Sequence, residues 1–388
     1  MNILMLDISG KVTKYTFWVS NALYDNLQVG DSIKVYASMY KSEEKDYSRF
    51  LHGLKYKKLL NLIPLKYKRS FSLFKRLVKS LEVLINYIYI IFVVKCNKID
   101  VLHTQYIPFA DFISIEYHIY KIIKRLSPRT KLVLTIHDVL PHDLKPENKE
   151  TYCKRYRYVA SIFDEYMVHT KSCKRDVINY LQLPESKIHI AYHPIFMSAY
   201  VKKIKKIKEI KRPIKMIMFG LQTPYKGTDI LIDAMNLLPK DYASSFKLTI
   251  AGAINDDYFS ELKKKSGEQS INWFPYFVPE KDLDEMINDS EIIVLPYRSI
   301  SQSGVLLLSI YFHKLIITSD LPTFKESLDG YNANWFFESG NPVSLAQLLK
   351  KIADGEIDVH SQQSIMDDLN NRYSLGSFSK ATITAYTN

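Results

Sequence analysis

The sequence predicts two α/β domains, each built on a doubly wound parallel sheet, facing one another across a cleft. Three observations carry that prediction. Short apolar runs alternate with segments of helical spacing along nearly the whole chain, the pattern of a parallel sheet covered on both faces. At 388 residues the chain is too long for one ordinary hydrophobic core. The basic stretch Lys202–Lys215, KKIKKIKEIKRPIK, then interrupts the alternation, which afterwards starts again. The expected division is therefore 1–200 for the first domain, 201–215 for a linker and 216–370 for the second domain. Residues 371–388 are expected to form a terminal helix that packs back on the first domain.

In the first half, Asn2–Leu6 reads as a strand and Ser9-Gly10-Lys11 as a small loop. Phe17–Leu27 has helical spacing, and Ser32–Ala37 is the next strand. A strand, a Gly-bearing turn and a helix open a nucleotide-type domain, although no G-x-G-x-x-G fingerprint is present. Strands are expected at Asp100–Thr104, Lys131–Ile136, Glu165–His169 and Ile188–Ala191. Helices are expected at Phe112–Leu126, Glu150–Phe163 and Ser172–Leu181, the last with Ser172 as N-cap.

The second half repeats this with strands at Lys215–Phe219, Phe246–Ala251, Ile271–Phe274, Ile292–Pro296, Leu315–Thr318 and Asn334–Phe337. Helices alternate with them at Asp229–Leu238, Tyr258–Lys265, Glu280–Asn288 and Val305–Phe312, with further helical spacing near Leu345–Ala353 and Ser361–Leu369.

The formal charge of +12 calls for a polyanionic partner or an anionic surface. From Tyr47 to Leu81 no acid occurs, while Lys55, Lys57, Lys58, Lys66, Lys68, Arg69, Lys75, Arg76 and Lys79 recur among aliphatic and aromatic residues. Such a basic amphipathic segment suits an anionic lipid surface, and a solvated charged face is the plainer reading. Nothing in it resembles an RNA-binding signature, so nucleic acid is not expected as a partner. The apolar run Val83–Val94 reads as a buried or interfacial helix, at about a dozen residues too short to cross a bilayer. No signal peptide is expected, because MNILMLD reads as a strand. Cys96, Cys153 and Cys173 lack metal or redox spacing and suit reduced thiols in a cytosolic protein.

Four short stretches lie at strand ends, where parallel sheets bind ligands. The elbow Tyr297–Gly304, with Ser299, Ser301, Gln302, Ser303 and Gly304, precedes an apolar helix and offers free backbone amides to an anion. A capped helix with a polar loop accounts for the same residues. In Gly220–Thr228, Lys226-Gly227 opens a helix, and a lysine there is a sound diphosphate ligand. His137, after an apolar strand, suits a sugar hydroxyl or a proton transfer. Gly10 would let a ligand approach the first strand. His142 and Asp143 lack a third ligand at fixed spacing, so no metal site is expected. Glu326, at a helix start after the strand Leu315–Thr318, suits the helix dipole.

In order, these segments resemble the GT-B glycosyltransferases, specifically the retaining group 1 or family 4 class, whose fold is two Rossmann-like domains. FGLQTPYKGTDILIDAM is similar to that family's F-G-x-x-x-P-Y-K-G-x-D-x-L-x-x-A segment. DSEIIVLPYRSISQSGVLLLSIYFHKLIITSDLPTFKE is similar to its D-x-x-x-L-P-Y…S-G-V-L…K-P-V-I-x-S-D…E segment. TIHDVLPHD and AYHPIF are similar to elements of capsule and exopolysaccharide members.

The resemblance implies a nucleotide-sugar donor, UDP-, GDP- or dTDP-linked, held by the second domain, with no further cofactor and no metal. It places His137, Lys226 and Glu326 as catalytic residues. Gly10, Gly220, Lys226, Gly227, Arg298, Gln302, Ser303, Gly304 and Val305 would bind the donor. It also implies a lipid-linked oligosaccharide acceptor. With the basic segment, that suggests a cytoplasmic enzyme, peripheral on the inner face of the cell membrane and building a surface polysaccharide.

Two departures stand out. The family's paired glutamates fall on Ile300 and Leu308, or on Ser301 and Ser309, and no acid lies between Glu291 and Asp320. Its usual cation before the lysine is replaced by Leu221, Gln222 and Thr223. These departures fit a deoxyribose donor such as a dTDP-sugar, or a non-catalytic partner of another transferase. A sugar-nucleotide epimerase would need carboxylates where this elbow has none.

Overall fold

A computed structural model describes the chain except residues 40–53, 62–72, 110–113, 138, 141–143, 145, 196–199, 202, 208, 268, 301–302, 333–334 and 357–358. It divides into two compact units, Met1–Pro194 with Leu375–Asn388, and Ile195–Ser374.

The first unit runs β1 (Asn2–Asp7), α1 (Thr13–Tyr24), β2 (Ser32–Ser38), β3 (Lys55–Leu59), α2 (Leu73–Cys96), β4 (Val101–Thr104), α3 (Ile115–Leu126), β5 (Lys131–Thr135), α4 (Lys149–Ala160), β6 (Glu165–Val168), α5 (Lys171–Asp176) and β7 (Ile188–Ile190). Its strands form one parallel sheet in the order β3-β2-β1-β4-β5-β6-β7. The central strand β4 is buried along its whole length, whereas the edge strand β3, KYKKL, exposes three lysines that discourage edge-to-edge pairing.

The second unit runs β8 (Ile214–Phe219), α6 (Thr228–Leu237), α7 (Lys240–Ala243), β9 (Phe246–Ala251), α8 (Asp256–Ser266), β10 (Ile271–Phe274), α9 (Glu280–Asp289), β11 (Ile292–Leu295), α10 (Gly304–Tyr311), β12 (Leu315–Ser319), α11 (Pro322–Ser327), β13 (Phe336–Phe337), α12 (Pro342–Ala353) and α13 (Val359–Arg372). Its parallel order is β10-β9-β8-β11-β12-β13. In each sheet the winding reverses beside the first strand, between β1 and β4 and between β8 and β11. Loops diverge at such a switch point and leave room for a ligand. The last helix, α14 (Leu375–Thr387), returns to the first unit. There Ser379 Oγ donates to Ala22 O at 2.7 Å, and Lys131 Nζ donates to Tyr386 O at 2.8 Å.

Several elements differ from the sequence reading. The expected linker is part of the second unit. Lys205 N donates to Asn288 Oδ1 at 2.9 Å, Lys215 N donates to Glu291 Oε2 at 2.8 Å, and the buried Lys314 ammonium binds the carbonyls of Lys205 and Asn288. Basic composition marked a boundary, but the side chains of Asn288, Glu291 and Lys314 hold backbone groups at Lys205 and Lys215 to the second unit.

The basic segment is not one amphipathic helix. Lys55–Leu59 is a strand, 62–72 lies outside the described residues, and α2 begins at Leu73. The run Val83–Val94 is the inner part of that 24-residue helix, which by length and composition is long enough to cross a membrane. The N-cap of α5 is Thr170 rather than Ser172. Thr170 alone has the extended backbone that a cap needs, and its Oγ1 accepts from Cys173 N at 2.9 Å.

Candidate functional site

In the second unit, two loops flank the switch point. One follows β8, the other follows β11, and most of the expected donor residues lie on them. Gly220 follows β8 with φ +93°, and a side-chain carbon placed on it would fall 2.9 Å from Lys226 Nζ and 3.3 Å from Val305 Cγ2. Glycine at 220 therefore leaves space into which the lysine and the start of α10 converge. Lys226 is 7% exposed, and its ammonium lies 5.5 Å from the centroid of the Tyr297 ring. Burial lowers its pKa to about 8, so the site holds a cation that water solvates poorly and an anion would stabilise.

Gly227 closes the turn. Its φ is +72°, and a β-carbon there would sit 1.9 Å from Pro296 O, so the two loops touch through a position that only glycine fills. Arg298 fastens them further. It donates to Asp229 Oδ1 at 2.9 Å and Oδ2 at 2.6 Å, to Pro224 O at 2.6 Å, and its own backbone N reaches Tyr225 O at 2.7 Å. Its guanidinium thus serves loop geometry. Gln222, which the sequence showed only as one of the residues replacing the usual cation, braces the first loop from inside: its amide donates to Gly220 O at 2.7 Å and accepts from Thr228 Oγ1 at 2.7 Å.

Ser303 caps α10, its Oγ accepting from Leu306 N at 3.0 Å. Gly304 opens the helix into free space, with nothing near the place a side chain would occupy. The capped-helix reading is met, because one amide is taken by Ser303, and the space beside the helix start is open. Glu326 sits half-buried on α11, which Thr323 ties to the elbow through a 3.2 Å bond to Ile300 O. Gln302 lies outside the described residues, as do Ser301, Asp138, His142 and Asp143.

Gly10 and His137 belong to the first unit, each after a strand end. Gly10 has φ +71°, and a β-carbon there would meet Ser38 O at 2.2 Å. Its loop is held by Asp7, fully buried, which accepts from Gly10 N (3.0 Å), Ser9 Oγ (3.2 Å), Val12 N (3.2 Å) and Thr13 Oγ1 (3.0 Å). An acid closing a strand before Ser-Gly was the visible signal for this role.

His137 packs edge-on against Tyr15 (4.9 Å between centroids) and lies 5.2 Å from His169. Tyr15 also meets His193 at 5.0 Å, and its hydroxyl pairs with His169 Nε2 at 3.1 Å. Burial first, then the neighbouring histidines, holds His137 well below the ordinary imidazole range, so it is neutral at pH 7. Among the described residues no group of His, Cys, Asp and Glu is arranged to hold a metal ion.

Two parallel doubly wound units with this strand order are the GT-B fold, and residues 201–365 match the family model described as glycosyl transferases group 1. The chain is similar to that group in the second unit and to GT-B proteins along its whole length. Anabaena Alr3699/HepE, solved in complex with UDP, superposes with a TM-score of 0.69 at 14% identity, covering 100% of both chains. A glycosyltransferase from Rickettsia africae gives 0.67 at 15% identity, over 100% of this chain and 97% of that one. In sequence, a GDP-mannose:glycolipid 4-beta-D-mannosyltransferase of Xanthomonas campestris pv. campestris is 27% identical over 127 residues. That match takes in 32% of this chain and spans only 36% of the relative's length.

Proposed function

We propose that this protein is a glycosyltransferase that moves a sugar from a UDP-, GDP- or dTDP-linked donor to a lipid-linked glycan in surface polysaccharide synthesis. It works in the cytoplasm, peripheral on the inner face of the cell membrane. The carrying observation is the convergence of Gly220, Lys226 and Val305 beside the open start of α10 at the switch point. A buried lysine beside the open start of a helix suits the negative charge that grows on a departing diphosphate. Cation and amides supply that charge stabilisation from the chain itself, so the reading calls for no metal. The group 1 match over 201–365 and the glycolipid acceptor in the Xanthomonas relative's name support the same reaction class.

The proposed reaction retains configuration at the anomeric carbon, with Glu326 near the sugar. His137, neutral at pH 7, is the first unit's candidate to bind a sugar hydroxyl. A second reading, inversion, is favoured by the elbow without an acid and by the beta linkage in the relative's name. There His137 takes the acceptor's proton.

Titration calorimetry with UDP, GDP and dTDP, followed by a nucleotide-sugar panel, tests the proposal. One nucleotide should bind, and Lys226→Ala should weaken it by at least about tenfold, the loss expected for one charge-assisted contact to a diphosphate. Binding of none would leave a non-catalytic partner protein. Donor conversion without acceptor would indicate an epimerase. Anomeric coupling in the product NMR spectrum separates retention from inversion.

A further inference from the structure

The outer face of α2 and the neighbouring edge strand β3 make a surface whose chemistry the reaction does not use. Leu77, Leu81, Ile85, Ile88 and Phe92 recur at helical spacing and are between 54% and 63% exposed, unusual for side chains so apolar. The stripe runs about 22 Å along the helix. The one acid in α2, Glu82, is buried and paired with Lys79, so the outward face carries no negative charge.

Just beyond the end of β3, Leu60 and Asn86 exchange two hydrogen bonds of 2.9 Å, and Lys79 Nζ reaches Asn61 Oδ1 at 2.9 Å. The strand that carries exposed Lys55 and Lys57 is thereby pinned against the middle of the helix.

The opposite face of α2 is committed to the core. Val83, Tyr87, Ile90, Val93 and Val94 are buried there, and Tyr87 Oη donates to Glu116 at 2.7 Å. Although the helix is long and apolar enough to cross a bilayer, doing so would strip that face from the sheet.

We infer that α2 lies flat in the interface of an anionic bilayer, its Leu77–Phe92 stripe sunk among the acyl chains and the β3 lysines on the lipid phosphates. A bilayer fits better than a second copy of the chain. An apolar stripe bordered by lysines and lacking an acid offers a copy nothing to pair with those charges, whereas anionic headgroups complement them. The inference deepens the membrane part of the proposed function, and it locates on α2 and β3 the docking that the sequence placed on one continuous basic segment.

Flotation of the full chain with phosphatidylcholine vesicles, with and without phosphatidylglycerol, tests it. Binding should need phosphatidylglycerol and fade at high salt. Ile85→Glu with Ile88→Glu should cut it at least about tenfold, as a charge must now enter the interface. Lys55→Gln and Lys57→Gln should each weaken it about fivefold. Thermal melts verify folding, and Leu81→Ala with Phe92→Ala provides a milder second variant.

Unchanged flotation of both stripe variants overturns the inference. So does a wild-type dimer that these substitutions dissociate, because the face would then belong to a second copy. Nucleotide binding is read separately: its absence with intact flotation would sink the transferase reading and leave the docking face standing.

Discussion

Lys226 shows how one side chain joins stability to function. Its ammonium is buried beside the Tyr297 ring, and desolvation brings its pKa to about 8. Below that pH the lysine is charged and, in the proposed function, meets a diphosphate; above it the cation is lost. Nucleotide affinity is therefore expected to fall as pH rises through about 8, and binding near that pH should take up protons, as calorimetry in buffers of different ionisation enthalpy would show. Lys226→Arg should flatten the pH dependence, because guanidinium stays charged. Gly227→Ala belongs to the same scale. A methyl 1.9 Å from Pro296 O at φ +72° forces the two loops apart. The left-handed strain alone is about 1–2 kcal/mol, so nucleotide binding should weaken by at least about tenfold in a titration. A smaller change would mean the loops yield without disturbing the lysine.

At the scale of elements, loops are held by groups that sequence patterns rank low. Asp7 gathers four donors from the turn after β1. Burial raises its pKa, and the same hydrogen bonds, from Thr13 and Ser9 first, pull it back. Asp7→Ala would leave two backbone N–H groups in the turn without their acceptor. The expected loss is about 2–4 kcal/mol of first-unit stability, read from urea unfolding.

The helix α2 teaches a related lesson. Hydropathy alone gives one apolar stretch with no sides. Packing divides it, sending Tyr87 and Ile90 inward and Ile85 and Ile88 outward.

At the scale of the molecule, the chain ends where it began. Tyr386 of α14 meets His103 Nδ1 at 2.6 Å, and His103 Nε2 meets Thr135 Oγ1 at 2.7 Å. Deleting Leu375–Asn388 removes buried Phe378, Thr382 and Tyr386 from the first unit. The truncated chain should show an earlier melting transition and faster proteolysis within Met1–Pro194.

The same unit buries three histidines, His103, His137 and His193, in surroundings that favour the neutral ring. Burial takes His103 and His193 from the ordinary 6.5 to about 3, and His137 also moves down. A depressed histidine favours the folded state fully above pH 6.5, and that contribution drains away toward pH 3, because the unfolded chain takes the proton first. Stability of the first unit should therefore fall steadily over that range. His103→Gln should lessen the slope in melts across pH.

Much of the fold was legible because parallel strands buried on both faces must be apolar, and the helices between them must be amphipathic. Runs such as Ile292–Leu295 and Leu315–Ser319 announce themselves for that reason. The lysine and glycines of the loop after β8 were legible too, since their spacing is local. What escaped was set by contacts distant in sequence. Arg298 is drawn to Asp229, 69 positions away. Lys314 ties down Lys205 across 109. Tyr15 gathers histidines from three later segments.

The sequence by itself determined the two-sheet architecture, the family resemblance and the positions of Gly220, Lys226 and Gly227, because periodicity and turn chemistry act over a few residues. Only the tertiary structure decided that the expected linker belongs to the second unit, that Arg298 serves the loops, and which face of α2 stays open. Burial is a property of the assembled chain, and a side chain's partner is chosen by whatever the fold brings to it.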